Sequence, residues 1–352
     1  MLAAARRRAA AAGARRGLSG LALPVVDLAQ GEAAAARALY RAATGPGFLY
    51  LAGHGVRAGT TRRAFAAMEH FFALPEPTKL AAHKSHTGNF RGYVGFFEQG
   101  DYGVDESDAR ASAGAGALDE PAKMDFKEVF HLGTELSPGH QQYHPLLYSS
   151  NVWPQGQPEL RAALEAYYAE VLAASDAVLE LFALSLGLPR AYFLGRAQRT
   201  PMNSMNCVRY PPLSAFPASQ QRKLSSSQLG IGSHTDFEAV TLLAQHGPKE
   251  ACLEVLRDGK EWFGVPPVEG MLVVNIGDMM ARWTGDLFRS TVHRAKNHPS
   301  QVRMSIAFFR APDFDAELSA ADIPARVKDY TPVRAGTHLL SRIQKANEPL
   351  GV

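Results

Sequence analysis

Five residues in the C-terminal half of this 352-residue chain have the types and spacings that metal-centred oxidation requires. His234-Thr235-Asp236 is followed by His293 and then by Arg303-Met304-Ser305. Two imidazoles and one carboxylate can hold a non-heme Fe(II) on one face and leave its other positions open for oxygen chemistry. An arginine with a hydroxyl two residues on can grip the far carboxylate of a dicarboxylic co-substrate, because the planar guanidinium fork donates two parallel hydrogen bonds.

The spacing tells which elements must position these groups. Side chains two apart on an extended strand share a face, so His234 and Asp236 can reach one ion while Thr235 turns away. Of the 12 histidines, only His234 has an acidic residue two positions later. Residues 239–244 form a β-rich run behind the pair, and His293 sits in the β-branched run Ser290-Thr291-Val292-His293-Arg294. Arg303 and Ser305 share a face of a strand expected over 302–309. An arginine turned inward beside the apolar Ile306-Ala307-Phe308-Phe309 is costly unless an anion pairs with it. Asn206-Cys207-Val208-Arg209-Tyr210 reads as a strand stopped by Pro211 and Pro212. Its Asn206, Val208 and Tyr210 share a face, from which Tyr210 could donate its phenol to the same carboxylate. The plainer reading makes His234 a turn cap, His293 and Tyr210 core residues and Arg303 an outward-facing cation. The joint presence of all these groups weighs against it.

The remaining elements read as a helical N-terminal half and a β-rich C-terminal half. Helices are expected over 33–43, 60–72 and 158–187, the last with an apolar stripe of Leu160, Leu164, Tyr168, Val171, Val178, Phe182 and Leu186 at helical spacing. Strands are expected over 48–52 and 271–276, with a hairpin over 253–265 turning at Asp258-Gly259. Several β-rich runs preceded by helices suggest a mainly β fold with flanking helices around a double-stranded β-helix, the jelly-roll or cupin-like core. The expected divisions are a leader over 1–21, a helix-and-strand region over 22–190, the jelly-roll core over 191–345 and a tail over 346–352. Segments 100–123 and 214–229 read as loops near the mouth of the site.

These motifs together resemble the Fe(II)/2-oxoglutarate-dependent dioxygenase superfamily, in the branch that includes isopenicillin N synthase. Further matches are Pro24-Val25-Val26-Asp27-Leu28, Gly47-Phe48-Leu49-Tyr50-Leu51, Gly53-His54-Gly55, Phe71-Phe72-Ala73-Leu74-Pro75, Asn275-Ile276-Gly277-Asp278 and Tyr210-Pro211-Pro212. Asn89-Phe90-Arg91-Gly92-Tyr93, Asn151-Val152-Trp153-Pro154 and the tail 337–342 resemble gibberellin oxidases and fungal thymine dioxygenases. The resemblance implies that His234, Asp236 and His293 ligate iron, and that Arg303, Ser305 and Tyr210 hold 2-oxoglutarate. Where many members carry Asn or Arg before that tyrosine, this chain has Val208 and Asn206, which either loosens the grip at that edge or leaves part of the orientation of 2-oxoglutarate to Asn206. Phe90, Arg91, Tyr93, Phe130, Met205 and Phe309 are the implied substrate-pocket residues. Asp125, Lys127 and Glu128 read as a solvated or salt-bridged stretch.

The implied cofactors are Fe(II), the co-substrate 2-oxoglutarate and O2, and the implied reaction is oxidation, above all hydroxylation, of a small-molecule C–H bond. No acid–base residue beyond the ligands is required. Two alternatives stay open: an Fe(II) oxidase of the same fold that uses no 2-oxoglutarate, and an inactive binding module. The net charge of +3 comes from an Ala- and Arg-rich N-terminus with no acid before Asp27, which argues against a nucleic-acid surface. That leader has the composition of a transit peptide or of a basic tail, giving a cytoplasmic or an organellar location. Cys207 and Cys252 lack redox or metal spacing, as expected of a reducing compartment. No run is long and apolar enough for a membrane span, and no obligate protein partner is evident.

Overall fold

The computed structural model describes residues 23–86, 89–96, 98, 125–215 and 230–347. The expected leader over 1–21, the loop over 100–123, residues 216–229 of the second loop and the end of the tail lie outside them. The helices used below are α1 (Glu32–Thr44), α2 (Ala58–Phe72), α3 (Pro158–Ser185), α4 (Asp278–Trp283) and α5 (Ala335–Asn347).

Two sheets form the centre. The larger has eight strands in the order β1 (Val25–Asp27), β2 (Phe48–Ala52), β10 (Leu272–Ile276), β7 (Val240–His246), β12 (Arg303–Arg310), β5 (Ser204–Tyr210), β4 (Glu128–Gly133) and β3 (Gly92–Val94). The smaller has four: β6 (Ile231–His234), β11 (His293–Ala295), β8 (Leu253–Arg257) and β9 (Glu261–Val265). Each sheet takes strands from alternating stretches of the C-terminal half, which is the double-stranded β-helix. β1 to β4 extend the larger sheet at both edges, so hydrogen bonding runs unbroken across the division expected near residue 190.

Period-two patterning assigns the faces. On β12, Met304, Ile306 and Phe308 point to the helical layer, and Tyr168 of α3 meets Phe308 edge-on at 5.1 Å. Arg303, Ser305, Ala307 and Phe309 point the other way, into the space between the sheets. α3 runs as one 28-residue helix with no glycine and with Pro158 at its start, where a missing N–H costs nothing. Its expected stripe is buried except for Tyr168, which is half-buried; the adjacent Tyr167 is fully buried. The β8–β9 hairpin turns at Asp258 and Gly259, both at positive φ (49° and 65°). Among the described residues no helix is long and apolar enough to cross a membrane.

Two expectations are corrected, and a third is decided between its alternatives. The strand carrying the first histidine ends at His234, leaving Asp236 in the following loop. Ser290–Val292 is not a strand: Ser290 donates to Asp278 and Thr291 to the Pro46 carbonyl, so pairing starts only at His293. Asp125, Lys127 and Glu128 form the salt-bridged alternative, and they are buried rather than solvated. Lys127 pairs with Asp125 at 2.6 Å, while Glu128 takes Lys79, Arg209 and the Tyr93 hydroxyl.

Gly47, just before β2, permits the approach that holds the segment leading to His293. It has φ +69°, and a Cβ there would lie 2.3 Å from the Arg289 carbonyl oxygen and 2.6 Å from the Thr291 hydroxyl. Gly47→Ala is therefore expected to lose about 3 kcal/mol of stability in urea unfolding, from strained backbone and a displaced 289–291 segment. A loss within about 0.5 kcal/mol, the range of neutral surface changes, would show that the approach is not constrained.

Candidate metal centre and active-site cavities

β6 and β11 are antiparallel neighbours with His234 directly opposite His293, and a register shift follows at His293–Ala295. Directly opposed residues bring their side chains close, and here the rings lie 4.2 Å apart between centroids. Asp236 approaches from the loop beyond β6. Its Oδ1 is 3.7 Å from Nε2 of His234 and 3.7 Å from Nε2 of His293. All three donor atoms lie within 4.8 Å of one another, and this is the only such group of three His, Cys, Asp or Glu among the described residues.

The other atoms of these groups are engaged. His234 Nδ1 lies 2.8 Å from the Gly232 carbonyl and His293 Nδ1 3.1 Å from the Thr291 carbonyl, which puts the proton on Nδ1 and the lone pair on Nε2. Asp236 Oδ2 accepts from Thr241 Oγ1 at 2.5 Å and Asn275 Nδ2 at 2.7 Å, leaving Oδ1 to face the histidines. Phe48 closes on the His293 ring at 5.2 Å. Burial, reinforced by His293, pushes His234 down to about 3. Burial alone would raise Asp236, but the two histidines and the Asn275 and Thr241 hydrogen bonds outweigh it and hold the carboxylate below its ordinary value. Two imidazole Nε2 atoms and Asp236 Oδ1 thus face a common point, and a divalent metal binds such a set as neutral imidazoles and an ionised carboxylate. The donor set of two nitrogens and one oxygen suits Fe(II) with open positions.

Next to these groups is a small cavity of about 70 Å³ lined by Tyr210, Arg303 and Ser305 together with the three donor residues, Asn206 and Val208. Arg303 faces inward, 3% exposed, opposite Tyr210 in the β5–β12 register and 4.5 Å above its ring. One guanidinium nitrogen donates to Gln245 at 3.1 Å; Nη1 is buried with no partner. A buried cationic donor left open beside a hydroxyl and a phenol is a fitted seat for a carboxylate. Burial raises the Tyr210 phenol, against the pull of Arg303 and Ser305, so it stays a proton donor. The seat therefore fits a dicarboxylate whose other end reaches the metal.

A second cavity, about 320 Å³, opens on the other side of the same residues. Asn206, Val208, Ile231, His234, Asp236 and Phe309 line both. Of the six expected substrate residues, Phe90, Arg91 and Phe309 line the larger cavity. Tyr93, Phe130 and Met205 do not. Tyr93 is spent on Glu128, Phe130 stacks against Phe71 and Trp153, and Met205 points into the helical layer from the face of β5 opposite Asn206. Arg91 is held by the Leu147 carbonyl at 2.6 Å, and burial lowers it to about 10.

Sequence reasoning missed several participants. His131 of β4 faces Asn206 across the register, and its Nδ1–H donates to Asn206 Oδ1 at 2.6 Å, turning the amide NH2 toward the cavities. Burial pushes His131 down to about 3, helped by Lys127, Lys84 and Arg91. Glu238, two residues past Asp236, lines the larger cavity, and burial beside Asp236 pushes it up to about 8. Leu339 and Ile343 of α5 roof that cavity. Arg342 ties the same helix to Asp278 at 2.9 Å, and Asp278 also accepts from Thr235 and Ser290. Glu238 stood out only as an acid near a ligand; the other contacts are long-range and left no spacing signal.

Comparison with known proteins agrees with this geometry. Residues 202–312 match the 2OG-Fe(II) oxygenase superfamily, and residues 23–156 match the N-terminal region described as non-haem dioxygenase in morphine synthesis. The chain is 33% identical over 310 residues to validamycin A dioxygenase of Streptomyces hygroscopicus subsp. limoneus, covering 84% of this chain and 78% of that protein. It is 28% identical over 305 residues to a homoarginine-6-hydroxylase of Oryza sativa subsp. japonica, covering 84% of each. The solved structure of a full-length Neurospora crassa protein in complex with alpha-KG and thymine superposes with a TM-score of 0.73 at 25% identity, covering 92% of this chain and 97% of that one. The chain belongs to the 2OG-Fe(II) oxygenase superfamily and is an Fe(II)- and 2-oxoglutarate-dependent dioxygenase.

Proposed function

We propose that His234, Asp236 and His293 bind the iron, that Arg303, Ser305 and Tyr210 hold the distal carboxylate of 2-oxoglutarate with Asn206 beside it, and that the larger cavity takes a small molecule for hydroxylation. The observation that carries this reading is the division of each donor group. The two Nε2 atoms and Asp236 Oδ1 converge, while every other polar atom of the three side chains is bound elsewhere.

Bound together, Fe(II), 2-oxoglutarate and O2 supply the oxidant: 2-oxoglutarate becomes succinate and CO2, one oxygen atom entering the succinate and the other the substrate C–H bond. The residues' own work is positional. Thr241 and Asn275 fix Asp236 so that only Oδ1 can ligate. Arg303 gives the dicarboxylate a single orientation, and Tyr210 stays protonated to donate to it. Phe309, Asn206 and Val208 line both cavities, so co-substrate and substrate would reach the centre from different sides of a common wall. Leu339, Ile343 and Phe90 limit water around the reacting carbon. The relatives are named for different small molecules, so the substrate of this chain depends on its own cavity walls.

The direct test is succinate formation from 2-oxoglutarate in the presence of Fe(II), O2 and a panel of small molecules. Release stimulated by one of them, with oxygen incorporated, is the expected outcome; turnover of substrate without 2-oxoglutarate would contradict the reading. Arg303→Ala is expected to weaken 2-oxoglutarate by about 2–4 kcal/mol, roughly 30- to 1000-fold in Kd by anaerobic calorimetry, because it removes one partner of a buried charge pair. An unchanged Kd would move the carboxylate seat elsewhere. Asn275→Ala, which removes one of the two hydrogen bonds to Asp236 Oδ2, is expected to weaken Fe(II) by about 10- to 100-fold. Equal Fe(II) titration curves for variant and wild type would show that Asp236 is held without it.

A further inference from the structure

Glu238 has no part in the metal centre or the dicarboxylate seat, yet it lines the larger cavity. Its backbone is firmly placed. The Glu238 carbonyl accepts from Met279 N at 3.3 Å, and Gly277 packs so closely that a Cβ there would lie 2.1 Å from that carbonyl oxygen. The side chain therefore leaves a fixed point in the turn between Asp236 and β7.

No lysine, arginine or histidine among the described residues forms an ion pair with this carboxylate; backbone N–H groups of Glu238 and Phe237 donate to it, and the neighbouring charges of Asp236 and Asp278 are negative. The cations in the same cavity are committed elsewhere. Lys127 donates to Asp125 at 2.6 Å, Arg91 to the Leu147 carbonyl at 2.6 Å, and Lys84 feels Glu98. Phe237, Leu339 and Ile343 make the surrounding wall largely apolar. A carboxylate in such a wall is costly without a counter-charge, and none of the described residues pairs with it. The cavity, about 320 Å³, falls in the range that takes a small organic ligand.

We propose that Glu238 is a specificity-determining residue that binds a basic nitrogen of the substrate, an amine or a guanidine, so that the enzyme oxidises cationic small molecules. This rests on the larger cavity being the substrate chamber of a 2-oxoglutarate-dependent oxygenase. A guanidinium matches a carboxylate fork to fork and an ammonium matches it as a point charge. A neutral alcohol would satisfy one hydrogen bond and supply no counter-charge.

The test uses the full chain loaded anaerobically with Fe(II) and 2-oxoglutarate, titrated in a calorimeter with butylguanidine and with its neutral isostere butylurea. Wild type is expected to bind the guanidine at least about tenfold more tightly than the urea. Glu238→Gln is expected to lose the preference, and Glu238→Asp, which keeps the charge on a shorter arm, to retain part of it. Titration of 2-oxoglutarate into the same preparations reports whether each protein is folded and loaded. If wild type takes up no 2-oxoglutarate, the dioxygenase assignment of the site falls. If it takes up 2-oxoglutarate but does not bind the guanidine, or binds both probes alike, the role of Glu238 is overturned. Retention of the preference by a loaded Glu238→Gln protein overturns it equally.

Discussion

The constraint on which the site depends is the pairing of His234 with His293 across β6 and β11. Two strands distant in sequence must meet in one register, because a slip of one residue would turn one imidazole to the opposite face. The smaller sheet enforces that register on one side, where β11 also pairs with β8. The segment before β11 enforces it on the other, tied by Thr291 to Pro46 and by Ser290 to Asp278. Asp236 has no strand to hold it, and two hydrogen bonds from the larger sheet, Thr241 and Asn275, replace one. The metal centre is therefore a junction between sheets: histidines from the smaller, the orientation of the carboxylate from the larger.

The same junction separates the two ligand cavities. Both use Asn206, Val208 and Phe309 as a common wall, and each carries an ionisable group without a counter-charge among the described residues. In the small cavity that group is Arg303, turned inward with an unpartnered nitrogen. In the large cavity it is Glu238. Uncompensated groups like these destabilise an empty fold, and the favourable term that offsets them is ligand binding. The opposite signs keep a dicarboxylate and a cationic substrate from competing for one seat.

Much of this was legible in the chain before its coordinates. The period-two pattern of β12 gives Arg303 and Ser305 one face, the prolines after Tyr210 fix the end of β5, and His234 is the only histidine followed two residues on by an acid. These are local signals, set by spacing along one element. What was not legible depends on partners distant in sequence. Tyr93 and Phe130 resemble pocket residues by motif, but Glu128 and the Phe71–Trp153 cluster draw them into the core. His131 became visible as the partner of Asn206 only through the β4–β5 register. Asp236 was expected on the strand itself and stands just past its end, where a loop has the freedom to bring Oδ1 midway between the two imidazoles.

The most direct test of the junction is optical. Protein freed of metal is mixed anaerobically with Fe(II) and 2-oxoglutarate, and the visible charge-transfer band of a keto acid chelated to Fe(II) is recorded for wild type and for His293→Ala. The account predicts the band in wild type and its loss in the variant, because removing one of the two paired histidines leaves only neighbours from a single chain segment. A band of equal strength in His293→Ala, or none in wild type that has bound Fe(II), would contradict it.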